Sequence, residues 1–143
     1  RAKIHATKTH TSTVNPAIIS ILFRLGASMT LREARCKFSI AIAYIVLKAD
    51  LLGFDIAFDE VTERLTEKDP TSDHKPGSNH HIGLAADLLL YKDGVYLTDS
   101  LAYKELGLAW EALGKERGLD LVWGGRFKSP DGNHFSLKWQ GHA

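Results

Sequence analysis

The sequence predicts an α+β domain in which helices flank a small antiparallel sheet, and three observations support this prediction. Two long stretches, residues 30–53 and 101–117, carry apolar residues at helical spacing. Shorter apolar runs lie between and after them, as expected of strands. Two of these runs are joined through Asp93-Gly94, a pair that favours a tight hairpin turn and therefore antiparallel neighbours.

Composition limits the chain to one ordinary globular domain. Its 143 residues suffice for a single core, and 44% are apolar and 24% charged. The net charge of +1 gives no strong attraction to nucleic acid. No run reaches the ~18–20 apolar residues of a membrane span. Cys36 is the only cysteine, which excludes an internal disulfide and fits synthesis in a reducing compartment.

Residues 1–28 differ from the rest of the chain. The first thirteen are polar and basic, and a short apolar run, Ala17 to Phe23, follows Asn15-Pro16. This order faintly resembles a signal peptide, but the run has the minimum length and Arg24 follows it at once. We expect residues 1–28 to be a non-catalytic N-terminal extension, with Met29 as the natural start. The functional domain is then residues 29–143.

The first predicted helix begins at Thr30, which forms a capping box with Glu33 just before the apolar pattern. Apolar residues then recur at helical spacing as far as Leu52, and Gly53 is a natural C-terminal stop. Residues 54–58 alternate between apolar and acidic, which predicts a strand.

The remaining elements follow in order. Residues 60–77 are polar and contain two prolines, which predicts a loop. A strand at 84–90 continues into a hairpin that ends at Tyr96. Ser100 is the expected cap of a helix from Leu101 to about Arg117. Two more strands are expected at 121–123 and 134–139, separated by the Gly124-Gly125 turn and a loop.

The stretch 78–87 suggests a metal site. His80 and Asp87 are seven residues apart, too far for neighbours on adjacent helical turns. The spacing suits a loop that carries His80 and then enters a strand that carries Asp87. A lone carboxylate in an apolar strand is costly to bury without a partner, and a metal ion would provide one. Neutral imidazole and ionised carboxylate are both zinc ligands.

A second motif, Asp131-x-x-His134, offers a third ligand and an acid–base group. His134 would bind the metal, and Asp131 would face a water molecule at the open fourth position that marks a catalytic zinc site. Zinc lowers the pKa of such a water to ~7. The nearby carboxylate could then take its proton and pass it to a leaving amine.

Taken together, the two motifs resemble those of a known family. Ser78-x-His80-x-x-Gly83-x-Ala85-x-Asp87 followed by Asp131-x-x-His134 is similar to the zinc peptidases of the VanY-like D-Ala-D-Ala carboxypeptidase group, which includes phage L-alanyl-D-glutamate endopeptidases used as endolysins. Trp123-Gly124-Gly125 is similar to a Trp-Gly-Gly often found before the second motif. The resemblance covers roughly Thr30 to the C-terminus.

This resemblance implies a Hedgehog/D-Ala-D-Ala peptidase-like fold whose small sheet carries one Zn²⁺ ion. The ion would be held by His80, Asp87 and His134, with Asp131 as general base. The family often has Glu where this chain has Asp131, and the shorter side chain reaches less far.

The resemblance also bears on substrate contacts. In the family, an arginine after a strand at about this place binds the substrate carboxylate or steadies the scissile carbonyl. Arg64 is the candidate here, with a solvated surface arginine as the alternative. Trp123 is a candidate wall of the cleft, with a core position as the alternative. Ser78 is a candidate for orienting a ligand, its loop or the substrate through a hydrogen bond.

The function implied is zinc-dependent hydrolysis of peptidoglycan stem peptides, by an L-Ala-D-Glu endopeptidase or a D-Ala-D-Ala carboxypeptidase. We expect a monomeric phage or prophage endolysin, made in the cytoplasm and acting at the bacterial cell wall, without a nucleic-acid partner or a membrane span. The alternative is a catalytically silent, zinc-containing cell-wall-binding module. A fainter alternative is a structural phage or host-interaction domain without a metal.

Overall fold

The computed structural model of the protein describes residues 29–60 and 77–141. The predicted N-terminal extension, Arg64 and most of the loop around it lie outside the described residues. The helices are α1 (Leu31–Leu51) and α2 (Lys104–Arg117), and the strands are β1 (Asp55–Glu60), β2 (Ala85–Lys92), β3 (Val95–Tyr96), β4 (Leu121–Trp123) and β5 (His134–Leu137). Short 3-10 turns cover Asn79–Ile82, Ser100–Tyr103 and Gly124–Arg126.

The described strands form one antiparallel sheet in the order β1-β2-β5-β4, and β3 pairs with the end of β2. The strand β2 is the centre of this sheet, since it pairs with β1, β3 and β5. This arrangement confirms the predicted α+β class and the predicted order of elements. Among the residues described, no helix is both long and apolar enough to cross a bilayer.

The start of α1 follows the predicted capping box. The Thr30 hydroxyl accepts a hydrogen bond from the Glu33 amide at 3.3 Å, and the Glu33 carboxylate accepts one from the Thr30 amide at 2.9 Å. The helix ends at Leu51, and Gly53 adopts a left-handed φ of +74° shortly after it. The two ends of the helix are therefore set by the residues that the sequence indicated.

The hairpin between β2 and β3 also has the predicted turn. Asp93 and Gly94 both have positive φ, 52° and 76°, which is the conformation of a type I′ turn. Tyr91 pairs with Tyr96 across the hairpin, and their rings lie 5.3 Å apart.

The predicted cap of α2 was wrong. The Asp99 carboxylate, not the Ser100 hydroxyl, accepts the hydrogen bond from the Leu101 amide, at 2.9 Å. A 3-10 turn follows, and the α-helix itself begins at Lys104. Asp and Ser are both good caps and are adjacent here, so local sequence does not distinguish them. The Ser100 hydroxyl is used elsewhere, as described below.

The two faces of the sheet have different environments. Ala86, Leu88 and Leu90 of β2 are fully buried on the face that the helices cover, together with Phe135 of β5. Residues alternate between faces along a strand, so Asp87 lies on the opposite face. His134 is the register partner of Asp87 and shares this face.

Trp110 of α2 is the centre of the core beneath the sheet. Its ring meets Phe38 of α1 and Phe135 of β5 edge-to-face, with centroids 6.0 and 5.7 Å apart. Its indole N–H lies within hydrogen-bond distance of the carbonyls of Val122 and Ser136, at 3.1 and 3.3 Å. This one side chain therefore joins both helices to the sheet.

Replacing Trp110 with Phe should keep most of the apolar contact but leave these two carbonyls without the indole donor. We expect the free energy of unfolding to fall by about 1–3 kcal/mol, from the lost hydrogen bonding and the smaller ring. Urea denaturation followed by circular dichroism measures it. The surface change Tyr44→Phe is the control and should alter the same quantity by less than about 0.5 kcal/mol. A Trp110→Phe protein as stable as wild type would contradict this account of the core.

Candidate metal centre

Three side chains from separate segments converge on the face of the sheet that points away from the helices. His134 Nδ1 lies 3.1 Å from Asp87 Oδ1 and 3.2 Å from His80 Nε2, and His80 Nε2 lies 3.4 Å from the same Asp87 oxygen. In the described part of the chain, they form the group of His, Cys, Asp or Glu side chains that could hold a metal ion. The two histidines are buried and Asp87 is partly buried.

The strand register brings two of the three together. Asp87 of β2 and His134 of β5 are direct partners in the antiparallel ladder, so their side chains leave the same face side by side. The packing of Ala86 and Phe135, the next pair along, in the core beneath the helices fixes which face that is, because a slip of one residue would turn the polar pair towards the helices instead.

The third side chain, His80, is delivered by the 3-10 turn Asn79–Ile82. The Ser78 hydroxyl accepts the His80 amide hydrogen bond at 3.3 Å, and Gly83 ends the turn with a left-handed φ of 67°. The buried Asn79 side-chain amide donates to the Leu137 carbonyl at 3.0 Å, which ties the turn to β5. Local and long-range hydrogen bonds thus hold the turn over the sheet.

A second tie comes from the first helix. The Arg35 Nε donates to the Ile82 carbonyl at 2.7 Å across 47 residues of sequence. No local pattern in the sequence points to Arg35 or Asn79, because each bonds the backbone of a segment far away in the chain. Such a partner becomes visible only when the fold is known.

Asp87 is the anionic member of the group. Burial alone would raise its pKa, but hydrogen bonds with the His134 and His80 rings and the charge of those rings lower the pKa below its usual value. The carboxyl group therefore remains ionised well into the acidic range and is available as an anionic ligand.

The arrangement fits a divalent cation. Zinc bonds to nitrogen and oxygen of ~2.0–2.2 Å in a tetrahedron place neighbouring ligand atoms about 3.3–3.6 Å apart. The three separations found, 3.1, 3.2 and 3.4 Å, are close to this value. A proton between two of these atoms serves only that pair, whereas one cation is attracted to the lone pairs of all three. The donor set of two imidazoles and one carboxylate is also that of catalytic zinc.

Asp131 lies on the loop that leads into β5. Its side chain is exposed, its amide donates to the Gly124 carbonyl at 3.0 Å, and its carbonyl accepts from the His134 amide at 3.3 Å. A side chain at Gly124 would overlap the Asp131 carbonyl and come within 2.8 Å of the His134 Cβ. The absence of a side chain at Gly124 therefore lets this loop pass close to the strand that carries His134.

Trp123 lies on the other face of the sheet. It pairs with Phe135, so it points towards the helices and is only 5% exposed. Its indole packs against Gly107 of α2, where a Cβ would overlap the ring. The indole N–H donates to the Gly132 carbonyl at 2.8 Å. Trp123 thus reaches the neighbourhood of the site through the loop beside Asp131.

The fold and this site define a class of protein: a small α+β domain whose sheet carries, on the face away from the helices, a His-Asp-His group that could hold a metal ion. A family model described as D-alanyl-D-alanine carboxypeptidase matches residues 71–137, which include all three members of the group. The match confirms the resemblance to the D-Ala-D-Ala carboxypeptidase group that the two motifs indicated, and it supports a peptidase.

A solved structure agrees with this fold. The L-Ala D-Glu endopeptidase ChiX of Serratia marcescens is similar, with a TM-score of 0.59 and 22% sequence identity. The match covers 76% of this chain and 83% of that one. A search of curated proteins gave no match.

When both proteins are loaded with zinc, His134→Ala should retain much less of it than wild type, because only two members of the group would remain. We expect affinity to fall by more than about 100-fold, since groups that merely orient a ligand already account for about 10–100-fold. Elemental analysis after dialysis measures the zinc retained. His81→Ala is the matched control, a histidine outside the group, and should keep wild-type zinc. Equal zinc in His134→Ala and wild type would contradict the ligand set.

In the metal-free protein, Asp87 should stabilise the fold above about pH 4, the ordinary carboxyl pKa of an unfolded chain. Its pKa in the folded state is lower, so this contribution is lost as the pH falls through that lower value. The difference in free energy of unfolding between wild type and Asp87→Asn should therefore shrink on acidification from about pH 5 to about pH 2. Urea titrations with a chelator present measure it. A difference that grows would contradict the lowered pKa.

Proposed function

We propose that the protein is a zinc-dependent peptidase that hydrolyses an amide bond in the stem peptide of peptidoglycan. The observation that carries this proposal is the convergence of His80, Asp87 and His134, whose ligand atoms lie 3.1–3.4 Å from one another. The match to the D-alanyl-D-alanine carboxypeptidase family supports the reaction class.

In the proposed reaction, zinc supplies the Lewis acid and the side chains of the protein supply the ligands and the general base. When bound, zinc supplies Lewis acidity that polarises a scissile carbonyl and makes a water molecule easier to deprotonate. His80, Asp87 and His134 would hold that charge on the face of the sheet that points away from the helices. Asp131, exposed and three residues before His134, is the proposed general base: it takes the proton of the attacking water and returns it to the leaving amine.

The substrate proposal rests on the comparisons. The matching family is described by its action on D-alanyl-D-alanine, and the similar Serratia protein is an L-Ala D-Glu endopeptidase. Both bonds involve a D-amino acid in the stem peptide, and either is open to this chain. A protein with this substrate acts at the bacterial cell wall, and we propose a monomeric endolysin of a phage or prophage.

Substrate contacts are also proposed. Arg64 is the candidate partner of a substrate carboxylate. Ser78 is half-buried and its hydroxyl accepts the His80 amide hydrogen bond, so it supports the ligand turn beside the substrate. Trp123 supports the site from the opposite face, through its bond to Gly132.

Asp131→Ala should abolish cleavage and leave zinc bound, because it removes the base and none of the three ligands. General acid–base groups contribute about 10²–10⁴-fold in rate, so any cleavage that remains should be slower than that of wild type by about this factor. Mass spectrometry of muropeptides after digestion of purified cell walls measures cleavage and identifies the bond. Asp131→Asn keeps the shape of the side chain and should lose as much activity.

The same digestion distinguishes the alternative function. If the protein is a silent wall-binding module, it should sediment with the walls and contain zinc, but it should release no new amino termini. If both Asp131 variants cleave as fast as wild type, another group acts as the base.

A further inference from the structure

The Ser100 hydroxyl holds the loop that carries Asp131 on both sides of that residue. It accepts a hydrogen bond from the Gly132 amide at 3.0 Å and lies 3.4 Å from the Pro130 carbonyl, to which it donates. Ser100 precedes Pro130 by 30 residues and Gly132 by 32, and it belongs to the 3-10 turn before α2. One side chain thus bonds to the residue before Asp131 and to the residue after it.

Close packing supports the same contact. A Cβ at Gly132 would lie 2.5 Å from the Ser100 Cα and 2.6 Å from its carbonyl oxygen, so the two backbones touch. The Gly132 carbonyl is bonded at the same time by the Trp123 indole at 2.8 Å. Ser100 therefore holds the amide of Gly132 and Trp123 holds its carbonyl, which restricts the movement of the loop.

We propose that Ser100 is a positioning residue for the reaction, acting through Asp131. This inference rests on the proposed function, in which Asp131 is the base. A base must lie within hydrogen-bond reach of the proton that it takes. By fixing Pro130 and Gly132, Ser100 sets where the Asp131 backbone lies and limits the positions that its exposed carboxylate can sample.

Apart from the hydrogen bond between the His134 amide and the Asp131 carbonyl, the metal ligands are held by other contacts. His134 belongs to β5 and is positioned by its pairing with Asp87, while Phe135 beside it is fully buried. His80 is held by the turn at Asn79–Ile82. Loss of the Ser100 hydroxyl should consequently disturb Asp131 and leave the zinc ligands in place.

The test compares wild type with Ser100→Ala. Small displacements of a catalytic group cost up to about 100-fold, so kcat should fall about 10- to 100-fold. KM should change less than about twofold and zinc content should equal that of wild type, since neither substrate binding nor ligation is affected. Steady-state cleavage of a muropeptide and elemental analysis give the three quantities. A kcat within twofold of wild type overturns the proposal, and so does loss of zinc in parallel with activity.

Asp99→Ala is the matched control. It removes the acceptor of the Leu101 amide in the same turn, a bond of 2.9 Å, but leaves the Ser100 hydroxyl unchanged. Its kcat should stay within about twofold of wild type, because a weakened turn alone does not move Asp131. An equal loss of kcat in Asp99→Ala would overturn the specific role of Ser100.

Gly132→Ala provides an independent variant. Its Cβ would push the loop from the Ser100 backbone while the hydroxyl remains, and kcat should fall as in Ser100→Ala with zinc retained. Full activity in this variant overturns the proposal.

Amide hydrogen exchange at Gly132 tests the contact without a substrate. Exchange should be severalfold faster in Ser100→Ala than in wild type or Asp99→Ala, because the amide has lost its acceptor. Unchanged exchange overturns the proposal. If wild type does not cleave the muropeptide, the proposed function is wrong. If wild type and Ser100→Ala cleave it equally well, only the role of Ser100 is wrong.

Discussion

The register between β2 and β5 is the constraint on which the rest of the site depends. It sets Asp87 opposite His134 and, in the next pair, Ala86 opposite Phe135. The apolar pair packs against the helices and the polar pair faces away from them. The apolar burial that stabilises the sheet is thus the same force that presents a carboxylate and an imidazole together, since a slipped register would lose both.

The remaining parts of the site are added to this pair by contacts of long sequence separation. His80 comes from a turn held by Asn79 and Arg35, which bond the backbone 58 and 47 residues away. The loop before β5 is held by Ser100 and Trp123. None of these four side chains belongs to the three-residue metal group. Side-chain-to-backbone hydrogen bonds of this kind are what give a short loop a defined position.

Much of this arrangement could be predicted from the sequence, for identifiable reasons. The Thr30 capping box and the Asp93-Gly94 turn are local signals and were confirmed. The spacing of His80, Asp87 and His134 was readable because it repeats a family motif, and the structure brings these residues together. The Ser100 cap was wrong, because Asp99 competes for the same local role and the true partner of Ser100 is distant. The burial of Trp123 needed the pairing with Phe135, which no local pattern reveals.

The contact between Gly107 and the Trp123 indole has a mechanical consequence. At this point helix α2 approaches the ring so closely that no side chain fits between them, and the indole N–H of the same ring donates to the Gly132 carbonyl in the loop beside Asp131. The Trp123 side chain therefore couples helix α2 to the loop that carries Asp131. A larger residue at Gly107 would displace the Trp123 ring, and the hydrogen bond of that ring to the Gly132 carbonyl would carry the displacement to the loop that holds Asp131.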